Sequence, residues 1–197
     1  MARIILASGS RIRARILSAA GIAFDVRKPD VDEAALKEIC AAEGLSLEET
    51  ALRLAEAKAL AVAAPGVSAV IGSDQILEFE GAPFDKPRSI AEARARLIAL
   101  SGKAHSLINA VAVARDGEIV FRHIDRPRLV MREADAAEID RYLAAAGEDI
   151  LSSVGAYQVE ALGARLFERI EGDYFAVLGL SLFPLLAHLR AAGEVDF

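Results

Sequence analysis

Residues 104–131 read AHSLINAVAVARDGEIVFRHIDRPRLVM, and around Asp116-Gly117 the pattern falls into a period of two. Asp-Gly readily takes the left-handed backbone angles that a two-residue hairpin turn demands. Alternation on both sides of such a pair predicts two antiparallel strands. A long hairpin cannot belong to a purely parallel sheet, so any helix-linked strands outside it make the sheet mixed.

Working outward, Ala69-Val70-Ile71-Gly72 is a β-branched apolar run that predicts a central strand, leading into Ser73-Asp74-Gln75 and a polar turn near Glu80-Gly81. Arg3-Ile4-Ile5-Leu6-Ala7 predicts a short buried strand, followed by the small-residue turn Ser8-Gly9-Ser10. Ile12, Ile16, Leu17 and Ala20 then recur at helical spacing until Gly21 stops the helix. Phe24-Asp25-Val26 predicts a second strand, ended by Pro29. Two helices follow, and Ser46 with Glu49 forms a capping box for the second. Its expected buried stripe is Leu52, Ala55, Ala59 and Val62, running to about Ala64 before Pro65-Gly66. Ser89 and Glu92 make another box, opening a helix that ends at Ser101-Gly102. Asp135 to Ala145 predicts a helix, Tyr157 and Arg165 to Ile170 a strand or two, and Val177 to Ala192 a closing apolar helix. The order β-α-β-α-α-β-α-β-β-α-β-α defines an α/β protein, and residues 1–197 show no clear domain boundary.

Composition narrows the functional classes. The 197 residues are 54% hydrophobic and 26% charged, ample for a buried core. Against 29 acidic side chains stand 23 basic ones, a net charge of −6. That disfavours a nucleic-acid polymer as partner but leaves room for a small anion held by a few local cations. The single cysteine, Cys40, has no internal disulfide partner, which suits a reducing cytoplasm. Arg3, Arg11, Arg13 and Arg15 interrupt any apolar leader, and the longest uncharged runs fall short of the roughly 18 to 20 residues that span a bilayer. The expectation is a soluble chain with no membrane partner.

Several polar groups stand where an α/β sheet gathers ligands. The turn Ser8-Gly9-Ser10 runs from a strand into a helix that carries Arg11, Arg13 and Arg15. Exposed N–H groups and the positive helix end make it either a phosphate cradle or an ordinary βα turn with solvated arginines. Asp74 follows the central strand, as a general base, a cation ligand or an Asx-type turn. Lys86 precedes Pro87, in reach of a phosphate or solvated; Lys58 borders a buried stripe; Glu33 sits in an acidic run that also suits a helix start. His105, His123 and His188 lack metal-ligand spacing and read as structural.

Taken in order, Leu6-Ala7-Ser8-Gly9-Ser10 with Arg13, Asp32-Glu33, Leu54-Ala55-x-x-Lys58-Ala59, Ile71-Gly72-Ser73-Asp74-Gln75, Lys86-Pro87, Leu100-Ser101-Gly102-Lys103-x-His105, Gly155-Ala156-Tyr157 and Gly179-Leu180 resemble the Maf family over essentially the whole chain. These are nucleoside triphosphate pyrophosphatases, once described as septum-formation inhibitors. The resemblance implies a single domain over residues 1–197, with a bent mixed β-sheet flanked by helices and two lobes around a central cleft, as in inosine triphosphate pyrophosphatases. It implies hydrolysis of a nucleoside triphosphate to its monophosphate and pyrophosphate with Mg2+ or Mn2+, and homodimers are common in such enzymes. The family's general base falls on Asp74, its phosphate-contacting and catalytic positions on Ser8, Arg13, Lys58 and Lys86, and its further acidic position on Glu33. Glu33 and Asp74 are the residues that would take the metal.

Substrate choice within the family falls on Ile12, Gln75 and Glu160. Ser73-Asp74-Gln75 with Glu160 resembles the branch acting on 7-methyl-GTP, where a carboxylate suits a cationic ring that still presents N–H donors. Ile12 departs from that branch, which places an aromatic there. Asn109 stands where the family has threonine, Ser181 where it has proline, and Ser10-Arg11-Ile12-Arg13 where it has S-P-R-R. The alternatives are a dTTP/UTP pyrophosphatase of the same family and a non-catalytic nucleotide-binding regulator of cell division.

Overall fold

The structure, a computed structural model, describes residues 3–64 and 66–196; Pro65, expected to follow the third helix, lies outside them. The elements in chain order are β1 (Ile4–Ala7), α1 (Arg11–Ala19), β2 (Phe24–Val26), α2 (Glu33–Ala42), α3 (Leu47–Ala61), β3 (Ala69–Phe79), β4 (Ala82–Phe84), α4 (Ile90–Leu100), β5 (Ala104–Arg115), β6 (Glu118–Asp125), β7 (Arg128–Met131), α5 (Ala136–Ala146), β8 (Phe167–Glu171), α6 (Tyr174–Leu178) and α7 (Leu182–Ala191). Strand order is β2-β1-β3-β5-β7-β8, with β4 on β3 and β6 on β5. β1 runs parallel to β2 and β3, while β3–β4, β5–β6, β5–β7 and β7–β8 are antiparallel. The mixed α/β sheet expected from the hairpin is therefore present, and Asp116 and Gly117 take φ of 51° and 82° at its turn.

The chain forms two compact units. The first comprises the described residues up to Gln75, Asn109–Asp125, and those from Gly179 onward; the second comprises Ile76–Ile108 and Arg126–Leu178. β3 and β5 each pass from one unit into the other.

In the first unit, Ile5, Ala7, Val70, Ala59 and Ala114 build a core between β1, β3, β5 and α3. Serine and glutamate cap α3 reciprocally, as the S-x-x-E spacing predicts. Its buried face differs from the expected one: Ala51, Leu54, Ala55, Lys58 and Ala59 are buried, Leu52 and Val62 are half-buried, and the helix ends at Ala61. A reading of apolar residues alone could not place a lysine on the buried face. Gly72 explains how α3 comes so close to β3. A Cβ there would fall well inside contact distance of the Ala55 carbonyl oxygen and 2.8 Å from Ala59 N. Glycine inside a strand thus marks close backbone approach.

The second unit is built on Leu77, Leu97, Leu100, Leu107, Leu129, Met131, Ile139, Leu143 and Tyr157, with α4 packed on α5. Within it His105, 3% exposed, shares a 2.6 Å hydrogen bond between Nε2 and the Tyr157 hydroxyl. Burial pushes the imidazole down to about 4 from its ordinary 6.5. As pH falls through that window the unfolded chain takes the proton first, so stability falls from pH 6.5 towards pH 4. His105→Gln, which cannot charge, is expected to flatten that acid limb by roughly 3 kcal/mol in urea unfolding at stepped pH. An unchanged slope would assign the acid loss to carboxylates instead.

Four local expectations are corrected. β3 does not end at Gly72 but continues to Phe79, so Ser73, Asp74 and Gln75 lie inside a strand. β4 was not anticipated, because Ala82-Pro83-Phe84 carries too little pattern. The backbone at Tyr157 is not a strand; its ring fills core space instead. The closing helix is two, α6 and α7, broken at Gly179-Leu180-Ser181 with Gly179 at φ 104°.

Candidate active site

Alternation along β3 aims its side chains. Gly72 and Asp74, two residues apart, share the face towards α3, and Ser73 points the other way. Because Gly72 admits the helix, Lys58 on α3 reaches Asp74, with Nζ 2.6 Å from Oδ1. Both side chains are buried. Glu33, the first residue of α2 behind the Asp32 N-cap, brings Oε1 to 3.0 Å from the same ammonium. One buried lysine is thus gripped by two carboxylates from different elements.

The other half of the site is the turn after β1. Ser8 Oγ accepts from Ser10 N at 3.2 Å and from Arg13 Nη1 at 3.3 Å. Ser10 caps α1, its hydroxyl accepting from Arg13 N. Arg13 is the position that the family resemblance assigns to phosphate. It donates Nε to the Gly179 carbonyl at 2.6 Å and Nη1 to the Ser73 carbonyl at 2.8 Å. Among the described residues no protein acceptor takes Nη2. Burial lowers the guanidinium's pKa, and the fields of Asp74 and Glu33 partly offset this. Arginine retains its charge under such perturbation, so the site holds two cations, from Arg13 and Lys58, against two carboxylates.

The structure thus brings together Ser8, Arg13, Glu33, Lys58 and Asp74 in the first unit. Gln75 joins them, half-buried, with Oε1 3.8 Å from where a Cβ on Gly179 would stand. Ile12 is half-buried on α1. Lys86, between β4 and α4, and Glu160, near the 3-10 turn Leu162–Leu166, belong to the second unit, and both are exposed. Four residues of the site's frame carry no role in the sequence reading: Gly72 and Ser73 stand inside a motif, and Asn109 and Ser181 only as departures from the family pattern. A glycine inside a β-branched run was the usable signal for Gly72. A lone asparagine in the apolar stretch 107–114 was the signal for Asn109.

Hard oxygen donors converging on one cation position would suit a small divalent metal held by one or two carboxylates plus phosphate oxygens. Glu33 and Asp74 meet that description, since both already face a single positive charge. Among the described residues no group of three or more His, Cys, Asp or Glu forms a dedicated cage.

A βα turn with a fixed arginine thus stands in the same unit of this α/β protein as a buried carboxylate and lysine on β3 and α3. The family description "Maf-like protein" matches residues 3–192, and the chain belongs to the Maf family. A 7-methyl-GTP pyrophosphatase of Rhizobium meliloti (strain 1021) is 47% identical over 194 residues, covering 98% of each chain. A nucleoside triphosphate pyrophosphatase of Hyphomonas neptunium is 45% identical over 187 residues, 95% of this chain and 94% of the relative. A solved nucleoside-triphosphatase / dITP/XTP pyrophosphatase from Mycobacterium abscessus covers 98% of this chain and 95% of its own, at 14% identity and a TM-score of 0.38.

Proposed function

We propose that this chain hydrolyses a nucleoside triphosphate to the monophosphate and pyrophosphate, with 7-methyl-GTP as its first substrate. The observation that carries the reading is Asp74, buried on β3 and bonded to Lys58 at 2.6 Å, in the same unit as the Ser8–Arg13 turn. Water attacks the α-phosphorus as its proton passes to Asp74, the bond from that phosphorus to the bridging oxygen breaks, and pyrophosphate leaves. Charge builds on phosphate oxygens, where preplaced cations act most strongly. Lys58 supplies a point charge and Arg13 its Nη2 group. The turn's N–H groups and Ser8 orient a phosphate, and Lys86 is the further cation in the family pattern. Glu33 and Asp74 would hold a divalent metal, which when bound offsets phosphate charge and acidifies water.

Gln75 and Glu160 support the methylated guanine reading, as do relatives named 7-methyl-GTP pyrophosphatase. Residues 1–197 act as one catalytic domain, a reading supported by a family match that spans both units. A nucleotide house-cleaning role places the chain in the cytoplasm; no helix among the described residues is long and apolar enough to cross a membrane.

The test is pyrophosphate release from a panel of nucleoside triphosphates with Mg2+ or Mn2+. The expected result is fastest turnover of 7-methyl-GTP, abolished by a chelator and restored by excess metal. Fast turnover of dTTP and UTP would keep the hydrolysis and discard the substrate. Binding with no release from any nucleotide would favour a regulator of division.

A further inference from the structure

Asn109 and Ser181 are both wholly buried, at 0% exposure, in the first unit. Asn109, on β5, donates Nδ2 to the carbonyl oxygen of Asp74 at 3.2 Å. Its Oδ1 accepts twice from Ser181, from the backbone N–H at 3.0 Å and from Oγ at 2.9 Å. Ser181 stands at the N-cap of α7, where serine ordinarily caps its own helix. Here its hydroxyl makes no cap bond and is turned to Asn109 instead. Two residues earlier, the Gly179 carbonyl accepts from Arg13 Nε at 2.6 Å and from Ser73 Oγ at 3.0 Å.

The segment Gly179–Ser181 is therefore a polar bracket. One end holds Arg13 and Ser73; the other, through Asn109, holds the backbone of Asp74. We infer that Asn109 and Ser181 work as one pair of positioning residues, fixing Asp74 on β3 relative to the Arg13 guanidinium. The inference rests on the reading of Asp74 as the base. It also accounts for the residue types. Serine at 181 supplies both an N–H and a hydroxyl, whereas proline supplies neither. An asparagine at 109 can donate to β3 and accept from α7 at once, which no apolar side chain does. A buried amide bonded at both its nitrogen and its oxygen is held firmly, and losing either partner strands the other's polar atoms.

The experiment measures kcat, KM and melting temperature in the full chain for Asn109→Leu, Ser181→Pro, the double variant, Ser181→Ala and Asp74→Asn, well below each melting point. Ser181→Ala keeps the N–H bond and guards against a variant that fails to fold. The expected result is a kcat loss of about tenfold or more for Asn109→Leu and for Ser181→Pro, with KM held within about twofold, since misplacing a reacting group lowers turnover before binding. The double variant should lose no more than the worse single one, and Ser181→Ala should lose about threefold. Asp74→Asn should lose about a hundredfold or more. Losses that multiply in the double variant, or that appear only in KM or in the folded fraction, overturn the pairing and leave the base intact. Full turnover by Asp74→Asn overturns the base, and this inference with it; the pair then survives only as a shared loss of melting temperature.

Discussion

Asp74→Asn should lower pyrophosphate release by between about a hundredfold and ten-thousandfold while the protein stays folded. Asparagine keeps the shape of aspartate, and its carbonyl oxygen can still face Lys58, which in any case keeps Glu33 at 3.0 Å. What it lacks is a lone pair basic enough to take a proton from attacking water. The loss should therefore sit in kcat, with nucleotide affinity little changed at saturating metal, because Arg13, Lys58 and the second metal-holding carboxylate, Glu33, are untouched. Calorimetric titration of the variant with 7-methyl-GTP and metal, beside a turnover assay, separates the two. Release at the parent rate would show that Asp74 only balances charge, and the base would have to be sought elsewhere.

Gly72→Ala should be the most damaging single methyl group in the first unit. The added carbon has nowhere to go: it meets the Ala55 carbonyl and Ala59 N, both backbone atoms of a helix that cannot rotate aside as a side chain would. Overpacking of flexible neighbours costs about 1–3 kcal/mol. A backbone obstruction belongs at or above the upper end, so about 3 kcal/mol or more should vanish from the urea unfolding free energy. Activity should fall further than the folded fraction explains, because α3 carries Lys58 and any retreat lengthens its 2.6 Å contact with Asp74. Unchanged stability would mean that α3 is free to back away from β3, and that Gly72 does not set their spacing.

Local chemistry was legible wherever it acts over a few residues. The Asp116-Gly117 turn, the Ser46–Glu49 box and the start of α5 at Asp135 are each decided by neighbours in sequence. The Ser89–Glu92 pair was half legible, since Glu92 takes the Arg88 N–H instead of its own cap's. The length of β3 was hidden because Ser73-Asp74-Gln75 looks like a strand's end. Polar residues stay in a strand when distant partners meet them, and here those partners lie on α3, β5 and the bracket before α7. Lys58 illustrates the same limit. Its burial depends on Asp74, 16 residues away, and on a glycine that no helical periodicity reports. The family resemblance supplied the site residues, but not that Arg13 would already be committed to two carbonyls. Nor did it indicate that Lys86 and Glu160 would fall in the second unit.

The chain leaves and re-enters its two units so that neither is a continuous stretch of polypeptide. This matters during synthesis. Arg13 emerges early, yet the carbonyl that fixes its guanidinium is 166 residues further along. At the usual pace of a ribosome that is a wait of roughly 10–30 s, during which the guanidinium lacks the acceptor that it has in the folded unit. The first unit closes only once the segment from Gly179 onward arrives. Synthesis past Gly179, more than any early step, is what lets the Ser8–Arg13 turn gain its last partner.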